Sequence, residues 1–183
     1  MTERALAPRS DGWIWALVIA ATCSLVALTV VEVRRPPRPA LAGKSAPDLS
    51  LPLLGGGNSS ILKDKITMVD FWATWCAPCR ASMPRLQKLW KEYQSSGVEI
   101  YSVDTDDPSL DREAQVREFL LQNGLTFPVV LDDGSASQAF SISSLPTLVL
   151  LDRQGKVVWS HVGALTPSRE TALRTALNHA LGR

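Results

Sequence analysis

The sequence predicts an α/β domain, one mixed sheet with helices on both faces, carried behind an N-terminal membrane helix. Three observations predict it. An uncharged apolar run occupies residues 13–31, a proline-rich stretch follows, and beyond it β-rich runs alternate with helix-period runs in the order βαβαβαββα. A chain of 183 residues holds one ordinary domain plus an appendage. With 19 basic residues against 18 acidic ones and no basic stripe interleaved with aromatics, nothing tracks a phosphate backbone, and nucleic acid is not an expected partner.

The appendage is "WIWALVIAATCSLVALTVV", about as long as the ~20 residues a helix needs to cross the hydrocarbon core. A cleaved leader is the competing reading, because Ala40-Leu41-Ala42 has the small-x-small form of a cleavage site. The apolar run exceeds a usual leader core, however, and Arg34, Arg35 and Arg38 lie between it and that site, so the run reads as an uncleaved anchor. Cys23 sits mid-run, where it serves as a small apolar residue. Arg4 and Arg9 precede the run and three arginines follow it. The positive-inside count thus leans toward a cytoplasmic C-terminal domain, but by a margin that the free amino terminus offsets. The expected organisation is a tail at 1–12, an anchor at 13–33, a proline-rich linker at 34–45 and a folded domain at 46–183.

In the linker "RRPPRPALAGKSAP" the prolines favour an extended tether and stop the helix. "DLSLPLL" and "ILKD" read as two short strands around a "GGGNSS" turn. "ITMVDFW" is apolar on both faces except at Asp70, which suits a central strand covered on each side. From Ala77 to about Ser95, Met83, Leu86, Leu89, Trp90 and Tyr93 recur at helical spacing until Gly97. "VEIYSVD" is the next strand, "SLDREAQVREFLLQNG" a helix ended by Gly124, "FPVVLDD" a short strand and "SASQAFSI" a short helix. "PTLVLLDRQGKVVWSHVG" gives two strands joined at Arg153 to Gly155. "TPSRETALRTALNHAL" closes the chain as an amphipathic helix, with Thr166 as cap candidate and Pro167 in the first turn.

A strand running into "WCAPC" at a helix start is a redox signal, because cysteines three apart lie on one helical face and can join without large backbone movement. Cys76, at the helix N-terminus, meets unpaired amides and the positive end of the dipole, which stabilise its thiolate and make it the nucleophile. Cys79, one turn in, should resolve the mixed disulfide by attacking Cys76. Zinc needs about four ligands. The remaining cysteine is in the apolar run, and His161 and His179 lack metal-site spacing, so no metal is expected. A purely structural disulfide is a poor reading, since so short a loop removes little chain entropy. Asp70, in a strand buried on both faces, should either stay protonated near neutral pH or find a hydrogen-bond partner, and a carboxyl of raised pKa can take and return a proton. The alternative is a strand-end aspartate that reaches water. Pro146 precedes an apolar strand, and the local sequence alone favours a trans bond there.

From about Ala46 onward the chain resembles the thioredoxin-fold, membrane-anchored thiol-disulfide oxidoreductases of the TlpA/ResA/DsbE type. The carriers are "APDLSLP", "FWATWCAPCR" followed by "MP", the insert "FLLQNGLTFPVVLD", "LPTLVLLDRQGKVV" and the preceding anchor. The resemblance implies a cis Pro146 beside the Cys76–Cys79 disulfide, leaving the backbone of Leu145 free to pair with an extended substrate. It also marks Trp75, Ala77, Pro78, Leu145 and Pro146 as substrate-contacting and residues of about 107–131 as the family's insertion. It places the domain outside the cytoplasmic membrane, in the periplasm of a bacterial inner-membrane protein. There such proteins reduce disulfides of specific partners, in cytochrome c biogenesis or copper-site assembly, and are kept reduced by a membrane thiol donor of CcdA/DsbD type. No cofactor beyond the disulfide is implied.

One departure stands out. Many relatives carry a glutamate three positions after the second cysteine, where this chain has Ser82, and often an asparagine at the position of Asp70. The chain here resembles thioredoxin itself, whose matching aspartate assists the resolving cysteine, so Asp70 is expected to serve as proton acceptor for Cys79. The reading is a protein disulfide reductase; the reducing direction follows from that acid and from Pro78 between the cysteines. A copper metallochaperone shares the fold, but would be expected to show C-x-x-x-C with a histidine ligand. A thiol peroxidase also shares it, with a differently placed peroxidatic cysteine.

Overall fold

The computed structural model describes residues 12–33, 45–46, 49–60, 64–108 and 111–183. The tail, nearly all of the linker, the Ala40-Leu41-Ala42 site and most of the "ILKD" strand lie outside them. The chain divides into two units, Met1–Pro36 and Pro37–Arg183.

In the first unit Gly12–Val33 forms a helix, α1. Its side chains are described for residues 13–24, and all of these are exposed. Among the described residues no helix is long and apolar enough to cross a membrane, so the anchor expected at 13–33 rests on the sequence.

The second unit opens with a hairpin, β1 (Ser50–Pro52) against β2 (Asn58–Ser60). The sequence reading put Asn58–Ser60 in the turn; the pairing Leu51↔Ser59 instead makes these polar residues the returning strand, with Gly55, Gly56 and Gly57 at positive φ forming the turn. Ser45, read as the end of the linker, already pairs with Lys156.

The main sheet follows the expected order from β3 (Ile66–Trp72) and α2 (Ala77–Tyr93) to β4 (Val98–Asp104), α3 (Arg112–Gln122) and β5 (Val129–Leu131). It continues through α4 (Ser135–Ala139), β6 (Thr147–Leu151) and β7 (Val157–Val162) to α5 (Pro167–Ala180). A 3-10 turn at Gln94–Ser96 extends α2 to Gly97, whose φ of 83° lets the chain reverse into β4. The strand order is β5-β4-β3-β6-β7, with β3, β4 and β5 mutually parallel and β6 antiparallel to both β3 and β7.

β3 is therefore central, and all seven of its residues are buried. Alternation sends Ile66, Met68 and Trp72 into an apolar cluster with Met83, Leu86 and Leu89 of α2, Val116 of α3, and Leu173 and Leu177 of α5. Val69 and Phe71 point the other way, into a cluster with Leu51 of the hairpin, Ala136 of α4 and Val149 and Leu151 of β6. Helices thus cover both faces. Pro167 starts α5 with Thr166 at the cap position, but the Thr166 side chain makes no capping bond; its hydroxyl meets that of Ser168 at 3.2 Å.

The segment 107–131 contains α3 and β5. It is tied to α2 by a two-way bond: Gln87 Nε2 donates to Thr126 Oγ1 at 2.9 Å, and the Thr126 N–H donates to Gln87 Oε1 at 2.8 Å.

Candidate active site

β3 ends at Trp72, and α2 begins after a loop of four residues, which is thus delivered to the edge where the parallel strands end. Two bonds hold Trp72 at this exit: its carbonyl accepts from the N–H of Thr105 at 2.8 Å and from Thr105 Oγ1 at 2.9 Å. The Asp106 carboxylate then takes the Thr74 N–H with both oxygens, at 3.0 and 3.3 Å. Trp75, 72 % exposed, stands at the tip.

Cys76 is the N-cap of α2, with extended backbone, and Pro78 occupies the first turn, where a missing N–H leaves no bond unmade. Cys76 and Cys79 form a disulfide with their Cα atoms 5.2 Å apart. The Cys79 N–H donates to Cys76 Sγ at 3.3 Å, so the sulfur takes the place a capping oxygen usually fills. Exposure falls from 4 % at Cys76 to 1 % at Cys79, whereas Ala77 and Pro78 between them are exposed. An incoming sulfur therefore meets Cys76 first.

A cleft of about 480 Å³ opens beside Cys76. Four of the five residues expected to touch substrate, Trp75, Ala77, Pro78 and Leu145, line it. Pro146 is buried behind them, and the Leu145–Pro146 bond is cis, as the resemblance implies. Among the described residues no hydrogen bond engages the Leu145 backbone. The wall also includes Thr105, Ser137 and Ser144, which the sequence reading did not single out.

Asp70 lies on the α2 side of β3, between Met68 and Trp72, both of which belong to the cluster containing Cys76 and Cys79. Only 6 % of it is exposed, and its carboxyl accepts no hydrogen bond among the described residues. Burial alone pushes its pKa up to about 7. Asp70 stands two residues inside the end of β3, on the central strand of the sheet.

A second buried carboxyl was not foreseen. Asp104, at the end of β4, is pushed up to about 7, chiefly by burial, with the Arg112 hydrogen bond acting in the opposite direction. Arg112, itself 7 % exposed, donates from Nε to Asp104 Oδ2 at 2.7 Å and from Nη1 to the Asp132 carbonyl at 2.6 Å, bracing the ends of β4 and β5. Arg80, just after Cys79, lies 6.0 Å from the ring centre of Phe119, which packs on Trp72 at 5.1 Å.

Comparison with known proteins agrees with this geometry. The AhpC/TSA family matches residues 42–160. The thioredoxin-like protein YneN of Bacillus subtilis is 39 % identical over 126 residues, 68 % of this chain and 73 % of that one. The thiol-disulfide oxidoreductase ResA of Halalkalibacterium halodurans is 37 % identical over 130 residues, 69 % of this chain and 72 % of that one. A thiol:disulfide interchange protein of the thioredoxin family from Chlorobium tepidum superposes with a TM-score of 0.65 at 26 % identity, covering 81 % of this chain and all of its own.

Proposed function

The chain belongs to the AhpC/TSA family, among its thioredoxin-like thiol-disulfide oxidoreductases, and from that premise we propose that it works as a membrane-anchored disulfide reductase. The observation that carries this is the Cys76–Cys79 disulfide at the head of α2, its more exposed sulfur capped by a backbone N–H and fronting a cleft.

The reduced chain starts the reaction. The Cys76 thiolate attacks one sulfur of a partner's disulfide; a mixed disulfide forms, and the partner's second sulfur leaves as a thiolate that takes a proton from water. The Cys79 thiol then gives its proton to Asp70 and attacks Cys76. The mixed disulfide breaks, and the partner's first sulfur leaves as a thiolate and takes a proton in exchange for the one Asp70 then releases to water. The partner departs as a dithiol, and Cys76–Cys79 is oxidised. Two electrons pass to the partner in each cycle. Asp70 suits the proton step because burial holds its pKa near neutrality, where it can both accept and release. The redox-active disulfide is the working group, and neither a separate cofactor nor a metal takes part.

Trp75, Ala77, Pro78 and Leu145 receive the partner's extended segment, with Pro146 buried behind them. Partners are protein dithiols and disulfides, in cytochrome c biogenesis or copper-site assembly. A membrane thiol donor of CcdA/DsbD type restores the dithiol. The uncharged run at 13–31 is long enough to anchor the chain in a bacterial inner membrane, and the resemblance to the membrane-anchored oxidoreductases supports a domain on the periplasmic side.

The direction of electron flow is tested by equilibrating the full chain against a buffered dithiol couple and reading the fraction oxidised. Reductants and oxidants of this fold are separated on that scale, with thioredoxin at about −270 mV and DsbA at about −120 mV. A potential on the thioredoxin side is expected; one near the oxidase value contradicts the reductase assignment.

A further inference from the structure

The four residues 163–166 join β7 to α5, and Gly163 and Leu165 among them touch both backbone segments that hold the disulfide site. The Gly163 N–H donates to the Pro146 carbonyl at 2.8 Å. The Leu165 N–H donates to Ser82 Oγ at 2.8 Å, and Ser82 Oγ donates to the Pro78 carbonyl at 2.9 Å. A carbonyl only accepts and an amide N–H only donates, so the hydroxyl has one consistent role: its proton goes to Pro78, and its lone pair receives Leu165. Ser82 and Leu165 are both buried. Gly163 has a φ of 99°, a region in which any side chain would be strained, and Ala164 is tied down from below by His161 Nε2 at 3.2 Å from its carbonyl.

In the oxidised protein the Cys76–Cys79 bond itself holds the first turn of α2. Reduction removes that constraint. Apart from the helix ladder of α2 itself, the backbone bonds at the turn, from Cys76 N–H to the Ala73 carbonyl and from Arg80 N–H to the Cys76 carbonyl, both 3.1 Å, stay within one short segment. Pro78 has no N–H to offer, and Ala77 and Pro78 are exposed. Asp106 ties the approach to the cysteines at Thr74, whereas Ser82 ties the exit from them to a part of the chain 83 residues away.

We propose that Ser82 is a positioning residue for thiol-disulfide exchange: through Leu165 it fixes the Pro78 end of the Cys76–Cys79 turn against the loop of Pro146, so that the Cys79 N–H stays aimed at Cys76 Sγ after the disulfide opens. Losing the hydroxyl lets the first turn drift in the reduced state, and the Cys76 thiolate loses part of its stabilisation. Titratable groups on the segments that meet at the turn include Asp70 in β3, Asp106 after β4, Arg80 in α2 and His161, which holds Ala164. All are the same in the variants below.

The test needs no protein substrate, so its outcome is independent of the reductase assignment. The reduced full chain is alkylated with iodoacetamide across pH 5 to 9, and modification of Cys76 is followed by mass spectrometry. In Ser82→Ala the pH of half-maximal rate is expected to rise by about one unit, a roughly tenfold lower thiolate fraction at pH 6. Ser82→Thr, which keeps the hydroxyl, should track the parent. A Ser82→Ala profile that overlays the parent's overturns the proposal, and so does an equal shift in Ser82→Thr, which would assign the effect to packing. If Ser82→Ala does not fold, amide hydrogen exchange in the parent decides: Leu165 is expected to stay protected in both redox states, and loss of that protection on reduction overturns the proposal.

Discussion

The backbone N–H of Cys79 points at Cys76 Sγ from 3.3 Å, so the resolving residue helps to hold the nucleophile before it attacks it. The same sulfur is the first one an incoming disulfide meets, because Cys79 lies deeper in the apolar cluster that also contains Met68 and Trp72. Division of labour between two chemically identical side chains thus comes from their places along one helical turn.

The proton acceptor is tested at Asp70. Asp70→Asn should slow release of the partner from the mixed disulfide by about tenfold to a hundredfold, the lower part of the range for a positioned general base. It should also flatten the pH dependence of that step around neutrality. Single-turnover kinetics with a preformed mixed disulfide measure both, and unchanged rate and profile would remove Asp70 from the mechanism.

Asp70 also sets a stability slope. Burial raises its pKa from an ordinary 3.8 to about 7 in the fold, so between those values the unfolded chain is ionised while the folded chain still holds the proton. The folded state binds more protons there, and stability falls as pH rises from about 4 to about 7, levelling off above. The full shift corresponds to at most about 4 kcal/mol. Asp104 adds a slope of the same sign to parent and variant alike. Chemical denaturation at pH 4 and pH 8 should therefore show a smaller loss for Asp70→Asn than for the parent, and equal losses would contradict the buried, unpartnered carboxyl.

Asp106 carries the approach to the cysteines. Asp106→Ala leaves the Thr74 N–H without its acceptor, which should lower stability by about 1–2 kcal/mol. Asp106→Asn keeps one carbonyl oxygen and should lose less. Denaturant midpoints rank the two variants, and the reverse order would show that the Thr74 bond contributes little.

Arg112 braces the ends of β4 and β5 through Asp104 and the Asp132 carbonyl. Its truncation in Arg112→Ala leaves Asp104 buried beside an unfilled space and should cost about 3 kcal/mol, the lower end for a broken buried pair. A thermal melt of the full chain reads the loss; a change under about 1 kcal/mol would mean that the neutral form of Asp104 already dominates and the ion pair adds little.

Much of the fold was legible because its signals are local. "ITMVDFW" announced a fully buried strand, and apolar spacing from Met83 to Tyr93 announced the helix behind it. "WCAPC" located the disulfide, and the resemblance supplied the cis bond at Pro146, which no local rule favours. The failures share a cause. Asn58–Ser60 is polar and follows three glycines, so only pairing with Ser50–Pro52 makes it a strand. Arg112 reads as a surface charge on a helix and becomes buried only because two strand ends converge on it. The bonds from Thr74 to Asp106 and from Leu165 to Ser82 span 32 and 83 residues, and neither leaves a trace in sequence spacing. Asp70 was visible as an anomaly in an apolar run, whereas Asp104 was not, because it sits at a strand end where an aspartate is ordinary.

The most direct test of the account is a paired trapping experiment on the reduced full chain, using Cys79→Ser and Cys76→Ser exposed to the same disulfide-containing partners. Cys79→Ser should accumulate partners as mixed disulfides on Cys76, because nothing remains to resolve them, and the trapped proteins would name the substrates. With Cys23 replaced by serine in both variants, Cys76→Ser should accumulate almost none, since its remaining thiol, Cys79, is buried. Equal trapping by both variants, or trapping by Cys76→Ser alone, would contradict the assignment of Cys76 as the sulfur through which electrons leave.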